Sequence, residues 1–179
     1  MEPTLLIASP HLVDRNFSRT VVLVWGHEDD DRVVGVVVNR KLERRAGARL
    51  KVGAELDLAD HTHVPVVWGG PVEPELGTVV TCAPLGDQEG KALGSGIAVT
   101  QSLPTLVRLL REQEEFMLCL GHAGWDVGQL DQEIEQGSWL FTDLSPALLF
   151  ETPTEERYDR ALATLGLAAK TMWMPPVSE

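Results

Sequence analysis

The fold of this chain is decided by residues 116–130, whose sequence is FMLCLGHAGWDVGQL. The apolar run over 116–120 predicts a buried β-strand, and the glycines that follow predict a tight turn. A helix is expected from Gly128 to Gln136, with Leu130 and Ile134 on its buried face. The first N–H groups of such a helix have no partner within it, so this turn would offer donors to an anion or a polar ligand.

Two apolar runs near the N-terminus, 19–25 and 33–38, are rich in β-branched residues and flank the polar loop 26–32. They predict a β-hairpin, and because almost every position is apolar, both faces of the sheet should be covered. Further strands are expected over 64–68, 77–83, 97–100, 115–120 and 139–142.

Helices are predicted over 54–60, over 103–110 and over 145–150. The last helix follows Thr152, where Pro153 and Glu155 match a capping box. The whole pattern predicts a single α+β domain over 1–179, with a mostly antiparallel or mixed, barrel-like sheet and about four helices packed outside. Residues 168–179 form a tail for which two states are open, one ordered by packing of Trp173 and one flexible.

Composition excludes several classes of protein. The chain has 179 residues and a net charge of -12, which opposes direct nucleic-acid binding because phosphates repel an acidic surface. It has no apolar run of the ~20 residues that a membrane span needs, and Met1–Thr4 lacks the basic start of a signal peptide. Cys82 and Cys119 both lie in apolar segments and are expected to be buried, reduced thiols of a cytoplasmic protein.

One basic run departs from this acidity. Six of the 15 basic residues lie between Arg40 and Lys51. The run is interpreted as a solvated loop, with direct nucleic-acid binding as the alternative.

The loop before the first strong strand contains Asp14, Phe17 and Arg19. Arg19 could be an anion clamp oriented by Asp14, since a guanidinium offers a fork of donors. It could equally form an internal ion pair that fixes the loop.

The histidines suggest no metal site. His61 and His63 could share one strand face, but zinc needs three or four protein ligands, and no further cluster completes the set. Neither a metal nor another cofactor is therefore predicted. His27 and His122 are candidates for a general base, although no nucleophile accompanies them. Trp125 is expected to face the surface, because its neighbours indicate a turn.

A series of short motifs runs in one order along almost the whole chain. They are Leu5–Pro10, Asp14, Asn16-Phe17, Arg19–Val21, His27, Gly35–Arg40, Gly69–Val72, Gly121, Ala123–Trp125, Gly128–Leu130, Glu133-Ile134, Trp139, Leu149–Pro153 and Arg157-Tyr158. Together they resemble the YqgE/AlgH family of bacterial proteins. The chain departs from that pattern at two positions. His122 stands where an aromatic or small residue is usual, and Lys41 stands where the family often has proline after the Asn-Arg or Asn-Lys pair.

The resemblance implies a compact α/β domain of the bacterial cytoplasm, and some family members are labelled transcriptional regulators. The first hypothesis is therefore a non-enzymatic regulatory or binding protein with an unknown protein or small-molecule partner. Its polar pocket would take a small anionic group, bound by Arg19 and covered by Trp125, with contributions from Asp14, Asn39 and Gln129. The second hypothesis is an enzyme with His27 or His122 as general base, and the third is nucleic-acid binding through Arg40–Lys51.

Overall fold

A computed structural model describes residues 1–27, 29–42, 51–52, 56–57 and 60–167 of the chain, with only the backbone at 51–52 and 56–57. Eleven strands lie in this part of the chain. They are β1 (Thr4–Ala8), β2 (Val21–Gly26), β3 (Val33–Val37), β4 (Lys51–Val52), β5 (Leu56–Asp57), β6 (Val66–Trp68), β7 (Val72–Thr81), β8 (Lys91–Gly94), β9 (Ile97–Thr100), β10 (Phe116–Trp125) and β11 (Trp139–Thr142).

Most of the strands form one sheet in the order β11-β1-β2-β3-β10-β7-β9-β8, with β6 paired to β10. The β6–β10 pair is parallel and every other pair in the sheet is antiparallel. β4 and β5 make a separate small hairpin. The predicted hairpin of β2 and β3 is confirmed, with Val24 opposite Gly35.

The sheet curls into a half-barrel. Lys91 on the edge strand β8 donates from Nζ to the carbonyl oxygen of Gly26, at the end of β2, at 3.3 Å. Buried Leu93 and Ile97 belong to the same apolar cluster as Leu5 on β1. Strands that are distant in sheet order therefore share one interior, and the predicted α+β fold with a barrel-like, mostly antiparallel sheet is confirmed.

The helical segments cover the faces that the sheet leaves open. They are α1 (Leu103–Arg111), α2 (Gln129–Glu135), a π-helical turn (Ala147–Glu151), a 3₁₀ turn (Thr154–Glu156) and α3 (Arg157–Thr164). Leu106 and Leu109 of α1 pack with Phe116 and Leu118 of β10 in one cluster, on one face of the sheet. Leu162 of α3 packs into the larger cluster on the other face. No helix in the described part of the chain is both long and apolar enough to cross a membrane.

Two side chains at the start of α3 attach that helix to the sheet. The hydroxyl of Tyr158 donates to the carbonyl oxygen of Ala8 at 2.7 Å. The guanidinium of Arg157 donates from Nη1 to Val38 at 2.6 Å and from Nε to Thr152 at 3.1 Å, in both cases to the main-chain oxygen. Both side chains are buried. The Arg157-Tyr158 motif therefore joins the last helix to the ends of β1 and β3.

Backbones cross at Gly69, Gly70 and Gly121, which we call the glycine junction. The N–H of Gly69 donates to the carbonyl oxygen of Leu120 at 2.7 Å. A Cβ atom on Gly121 would overlap the carbonyl oxygen of Gly70, and one on Gly70 would overlap the backbone of His122. Gly121 also has a φ of +77°, in the left-handed region that other residues rarely adopt. Only glycine therefore fits this crossing.

The glycine junction also shifts the pairing of β10 with β7. Leu120 lies opposite Gly77, and His122 lies opposite Val72. Between these two pairs the chain advances two residues on β10 and five on β7. Extra residues on one strand bend it and re-aim its side chains. Beyond the junction, β10 pairs with β3 instead of β6 on its other side.

Three local predictions were wrong. The expected turn after Leu120 is strand, because β10 continues to Trp125 and its glycines allow close packing. The expected helix over 54–60 is contradicted at Leu56–Asp57, where pairing with β4 makes a strand. The capping box is not formed, because the Thr152 hydroxyl donates to the Ala147 carbonyl at 3.1 Å instead of capping a helix. The predicted tail over 168–179 lies outside the described residues.

The two cysteines have different environments, so the prediction of two buried thiols holds for only one of them. Cys119 is buried in β10, whereas Cys82 is exposed. Burial raises the pKa of the Cys119 thiol to about 12. Partial burial, followed by the charge of Glu115, raises the pKa of Cys82 above its usual range as well.

We expect the Gly121→Ala variant to lose about 3 kcal/mol or more of unfolding free energy, because strain at positive φ adds to a backbone collision. Gly137→Ala is the matched control. Gly137 has a φ of +79° but nothing within 4 Å of an added Cβ, so the loss there should be about 1–2 kcal/mol from backbone strain alone. Urea unfolding measures both variants. Equal losses would contradict the role of close contact at the junction.

We also expect the two thiols to react at different rates with a disulfide reagent at pH 8. Thiolate is the reacting form, so buried Cys119, with its raised pKa, should stay unmodified in the native protein while exposed Cys82 reacts. Both should react after unfolding in guanidinium chloride. Fast modification of two thiols in the native state would contradict the placement of Cys119.

Candidate functional site

The loop that contains Asp14 and Arg19 is held together by its own backbone. Asp14 Oδ1 accepts hydrogen bonds from the main-chain N–H groups of Asn16 and Phe17, both at 2.8 Å. The carboxylate therefore fixes the turn. The alternative in which Asp14 orients Arg19 has no hydrogen bond to support it among the described residues.

Arg19 lies on the surface beside α3. Its guanidinium carbon is 4.7 Å above the centre of the Tyr158 ring. Nη2 is 3.4 Å from Asp159 Oδ1, and the arginine side chain is 58% exposed. Arg19 therefore pairs with Asp159 of α3 at the surface, and this exposed contact is not the internal ion pair within the loop that the sequence suggested. Such exposed pairs contribute about 0–1 kcal/mol.

Asn39 connects two backbone segments. Its Oδ1 accepts from Val21 N–H at 2.8 Å, and its Nδ2 donates to the carbonyl oxygen of Arg19 at 2.9 Å. The side-chain amide thus acts as a peptide group that extends the β2–β3 pairing. One oxygen and one N–H of the amide are thereby engaged within the chain.

Arg40 supports the same loop from the other side. Nη1 donates to the carbonyl oxygen of Asn16 at 2.6 Å and Nη2 to that of Ser18 at 3.3 Å, while the guanidinium stacks over Trp68. Burial lowers the pKa of Arg40, and the nearby charge of Asp14 opposes that shift. Of the other basic residues in the run, only Lys41 is described with its side chain. The rest, through Lys51, lie outside the described residues or are described only as backbone. Nucleic-acid binding by this run therefore stays a prediction.

Trp125 is buried, with 4% of its surface exposed, so the prediction that it faces the surface was wrong. Its indole ring lies 6.2 Å from Phe17 and 6.0 Å from Trp139, between ring centres. The strand continues through this position, and its alternation turns the ring into the core. Trp125 therefore packs under the 14–19 loop.

Glu133 on α2 organises this aromatic cluster. Its Oε2 accepts hydrogen bonds from the indole Nε1 of both Trp125 and Trp139, each at 2.9 Å. Its Oε1 accepts from Gln129 Nε2 at 2.9 Å, and Gln129 Oε1 accepts from Asp126 N–H at 3.1 Å. One carboxylate thus satisfies two buried indole N–H groups and a neighbouring amide.

The fold does bring the predicted pocket residues into one neighbourhood. Asn39 contacts the loop of Asp14 and Arg19, Phe17 of that loop contacts Trp125, and Gln129 joins Trp125 through Glu133. Their polar groups bind other parts of the chain. Ligand binding by this set stays a prediction, and the contacts that the structure shows are intramolecular.

His122 is placed at the glycine junction. Its Nδ1 is buried and has no hydrogen-bond partner in the described part of the chain, and it lies 3.8 Å from Glu73 Oε2. The side chain is 18% exposed. Nδ1 therefore cannot take a proton from a substrate without local movement, and a base at this position would have to act through Nε2.

His27 lies in a different setting, on the wall of a groove of about 550 Å³. The groove opens between the end of the β2–β3 hairpin and the 87–102 segment. Trp25, Val34 and Val99 supply its apolar lining, and Thr78, Thr100 and Gln101 supply hydroxyl and amide groups. Gln101 Nε2 donates to Thr78 Oγ1 at 3.2 Å, which fixes the amide.

The charges around this groove are arranged in pairs. Arg108 donates from Nε and Nη2 to the two oxygens of Glu89, at 2.6 and 2.9 Å. These hydrogen bonds, the largest cause, lower the pKa of Glu89, so it is a carboxylate at neutral pH. His27 Nδ1 lies 3.4 Å from Asp30 Oδ1. The groove therefore combines an apolar floor, fixed neutral hydrogen-bonding groups and charges of both signs.

Sequence reasoning named His27 but not the residues opposite it. Thr78, Lys91 and Gln101 come from three separate segments, and only the curled sheet brings them to His27. One local signal was available, since Thr100-Gln101-Ser102 is a polar triplet between a strand and a helix. His61 and His63 have ring centres 6.0 Å apart, and no group of three or more potential metal ligands occurs among the described residues.

Comparison with known proteins places these features in a group of related chains. A family model described as AlgH-like matches residues 5–170. A UPF0301 protein of Burkholderia multivorans is 34% identical over 172 residues, which cover 93% of this chain and 89% of that protein. A UPF0301 protein of Paraburkholderia phytofirmans is 36% identical over 167 residues, covering 90% and 86%.

Two solved structures have a similar fold. The solution structure of the AlgH protein from Pseudomonas aeruginosa matches with a TM-score of 0.74 and 31% identity, covering 99% of this chain and 95% of that one. A crystal structure of a protein from Corynebacterium diphtheriae matches with a TM-score of 0.71, covering 91% and 86%. At 19% identity, the latter match shows a shared fold alone.

We expect Glu133→Ala to destabilise the protein by about 2–6 kcal/mol, because two buried indole N–H groups would lose their acceptor at about 1–3 kcal/mol each. Glu135→Ala, at an exposed position of the same helix, is the control and should change stability by less than about 0.5 kcal/mol. Urea unfolding followed by tryptophan fluorescence measures both. Similar small changes in the two variants would refute the structural role of Glu133.

Proposed function

The chain belongs to the AlgH-like family, as its motifs predicted, and on that premise we propose that it is a cytoplasmic, non-catalytic binding protein. Its ligand is a small polar molecule that occupies the groove between His27 and Gln101. A regulatory role would follow from a change in partner contacts when the groove is filled.

The composition of the groove is the observation that carries this proposal. Ligand sites combine mostly apolar walls with a few polar groups that are held in place. Here Trp25 and Val99 provide apolar surface, and the Gln101 amide is held by Thr78 at 3.2 Å. Gln101 retains its carbonyl oxygen and one N–H for a ligand, since a primary amide has two donors and one acceptor oxygen.

Charge makes a compact polyanion a poor ligand for this groove. Its lining residues include three acidic residues, Asp29, Asp87 and Glu89, against one lysine, Lys91. The net charge of the chain is also -12. Like charges repel at short range, whereas neutral or zwitterionic molecules avoid that repulsion. Polar metabolites without a net negative charge, such as nucleosides and sugars, therefore suit the site.

A thermal-shift screen with nucleosides and sugars tests the binding proposal. A compound that binds only the folded state at 100 times its Kd stabilises it by about 2.7 kcal/mol. We expect Gln101→Ala to weaken the binding of a hit roughly tenfold, through loss of about 1.4 kcal/mol of hydrogen bonding. Gln132→Ala, on the exposed face of α2, is the control and should bind like the wild type. Hits that bind Gln101→Ala unchanged would refute this site.

An enzyme with His27 as general base is the second candidate. The imidazole lies on the groove wall, and its Nδ1 accepts the Asp29 N–H at 3.3 Å and lies 3.4 Å from Asp30 Oδ1, contacts that fix the orientation of the ring. We expect bound compounds to be recovered intact after prolonged incubation with the protein, as followed by mass spectrometry. Conversion that His27→Ala abolishes would establish the enzyme instead.

A further inference from the structure

A second cavity lies on another part of the molecule, where β10 begins and α3 begins. Its volume is about 300 Å³, at the lower end of the roughly 300–1,000 Å³ typical of ligand pockets. Buried Phe116, Met117 and Leu149 supply apolar lining. Arg157 lines the same cavity.

Arg157 is an unusual residue to find in such a wall. It is only 7% exposed. A guanidinium has five N–H donors, and this one uses two of them, on the carbonyl oxygens of Thr152 and Val38. No carboxylate of the described chain lies within ion-pair distance of it. Burying a charge without an opposite charge is costly, so a buried cation with spare donors favours an anionic partner.

The spare donors are accessible. Arg157 Nη2 donates to no atom of the described chain, yet it is absent from the group of fully buried side-chain atoms that lack a partner, which contains only His122 Nδ1. Nη2 therefore keeps some contact with solvent. Arg157 is also one of the residues that line the cavity. Burial also lowers the pKa of Arg157, and the nearby charge of Glu155 opposes that shift, as a bound anion would.

The rim of the cavity has the opposite charge. Glu115 and Glu151 line it and are both exposed, and neither has an ion-pair partner in the portion that the structure describes. Two carboxylates at the rim would repel a phosphate or a dicarboxylate. They would attract the ammonium group of a ligand whose own carboxylate, a few ångströms away, is bound by Arg157. The cavity thus has a cation in its wall, carboxylates at its edge and an apolar lining.

We propose that this cavity binds a small α-amino acid with an apolar side chain. The ligand carboxylate accepts hydrogen bonds from Nη1 and Nη2 of Arg157, because a guanidinium fork matches a carboxylate. The ammonium group faces Glu151 and Glu115 at the rim. The side chain packs against Phe116 and Leu149. This site is separate from the His27–Gln101 groove and does not depend on it.

Amide NMR of the whole chain, titrated with L-phenylalanine, tests the proposal. We expect saturable shifts at the residues that line the cavity, among them Phe116, Glu151 and Thr154. L-Phenylalaninamide lacks the carboxylate and should bind at least tenfold more weakly, as expected for loss of a charged hydrogen bond of about 1.5–3 kcal/mol. 3-Phenylpropanoate lacks the ammonium group and should bind about threefold more weakly, since exposed ion pairs contribute about 0.2–1 kcal/mol.

Variants test the same assignment from the protein side. Glu151→Gln removes one exposed charge and should weaken binding of L-phenylalanine about threefold, while Glu135→Gln on α2 should leave it unchanged. Arg157→Lys should abolish the shifts, and because that side chain also attaches α3 to the sheet, its stability must be measured in parallel. If it does not fold, the ligand series on the wild type decides. Absence of shifts up to the solubility limit of L-phenylalanine, or equal binding of the amide, would overturn the proposal.

Discussion

The close crossing of backbones at Gly69, Gly70 and Gly121 determines how the strands of this sheet pair. The crossing ends the parallel pairing of β6 with β10, starts the antiparallel pairing of β3 with β10, and changes the register of β7. A side chain at these positions would collide with main-chain atoms, which cannot move aside as a flexible side chain can. The curl that gathers β8 and β2 into one interior passes through this point.

Polar residues at strand ends then hold this curled sheet to its surroundings. Asn39 extends a strand pair, Arg157 joins α3 to β3, and Glu133 receives the N–H groups of two buried indoles. Each is polar and lies next to a loop, so each has the sequence character of a binding residue. In the folded chain they satisfy backbone and indole groups that burial would otherwise leave unpaired.

Sequence reasoning reached the α+β class, the β2–β3 hairpin and the family because these depend on local runs and ordered motifs. It misplaced Trp125 for a physical reason. Glycines are common in turns, so the glycines next to this tryptophan suggested a turn. Here they instead allow another backbone to pass close to a strand that continues. The groove could not be predicted from local sequence patterns, because Thr78 and Gln101 are brought near His27 only by the curl of the sheet.

We propose that the segment Gly121–Gln129 serves the fold and that ligand recognition belongs to the groove between His27 and Gln101. Amide NMR mapping of the tightest-binding nucleoside or sugar tests this claim most directly. We expect shifts centred on Thr78, Lys91 and Gln101, with the amides of Trp125 and Gln129 unchanged. Shifts centred on Arg19, Trp125 and Gln129 would contradict it.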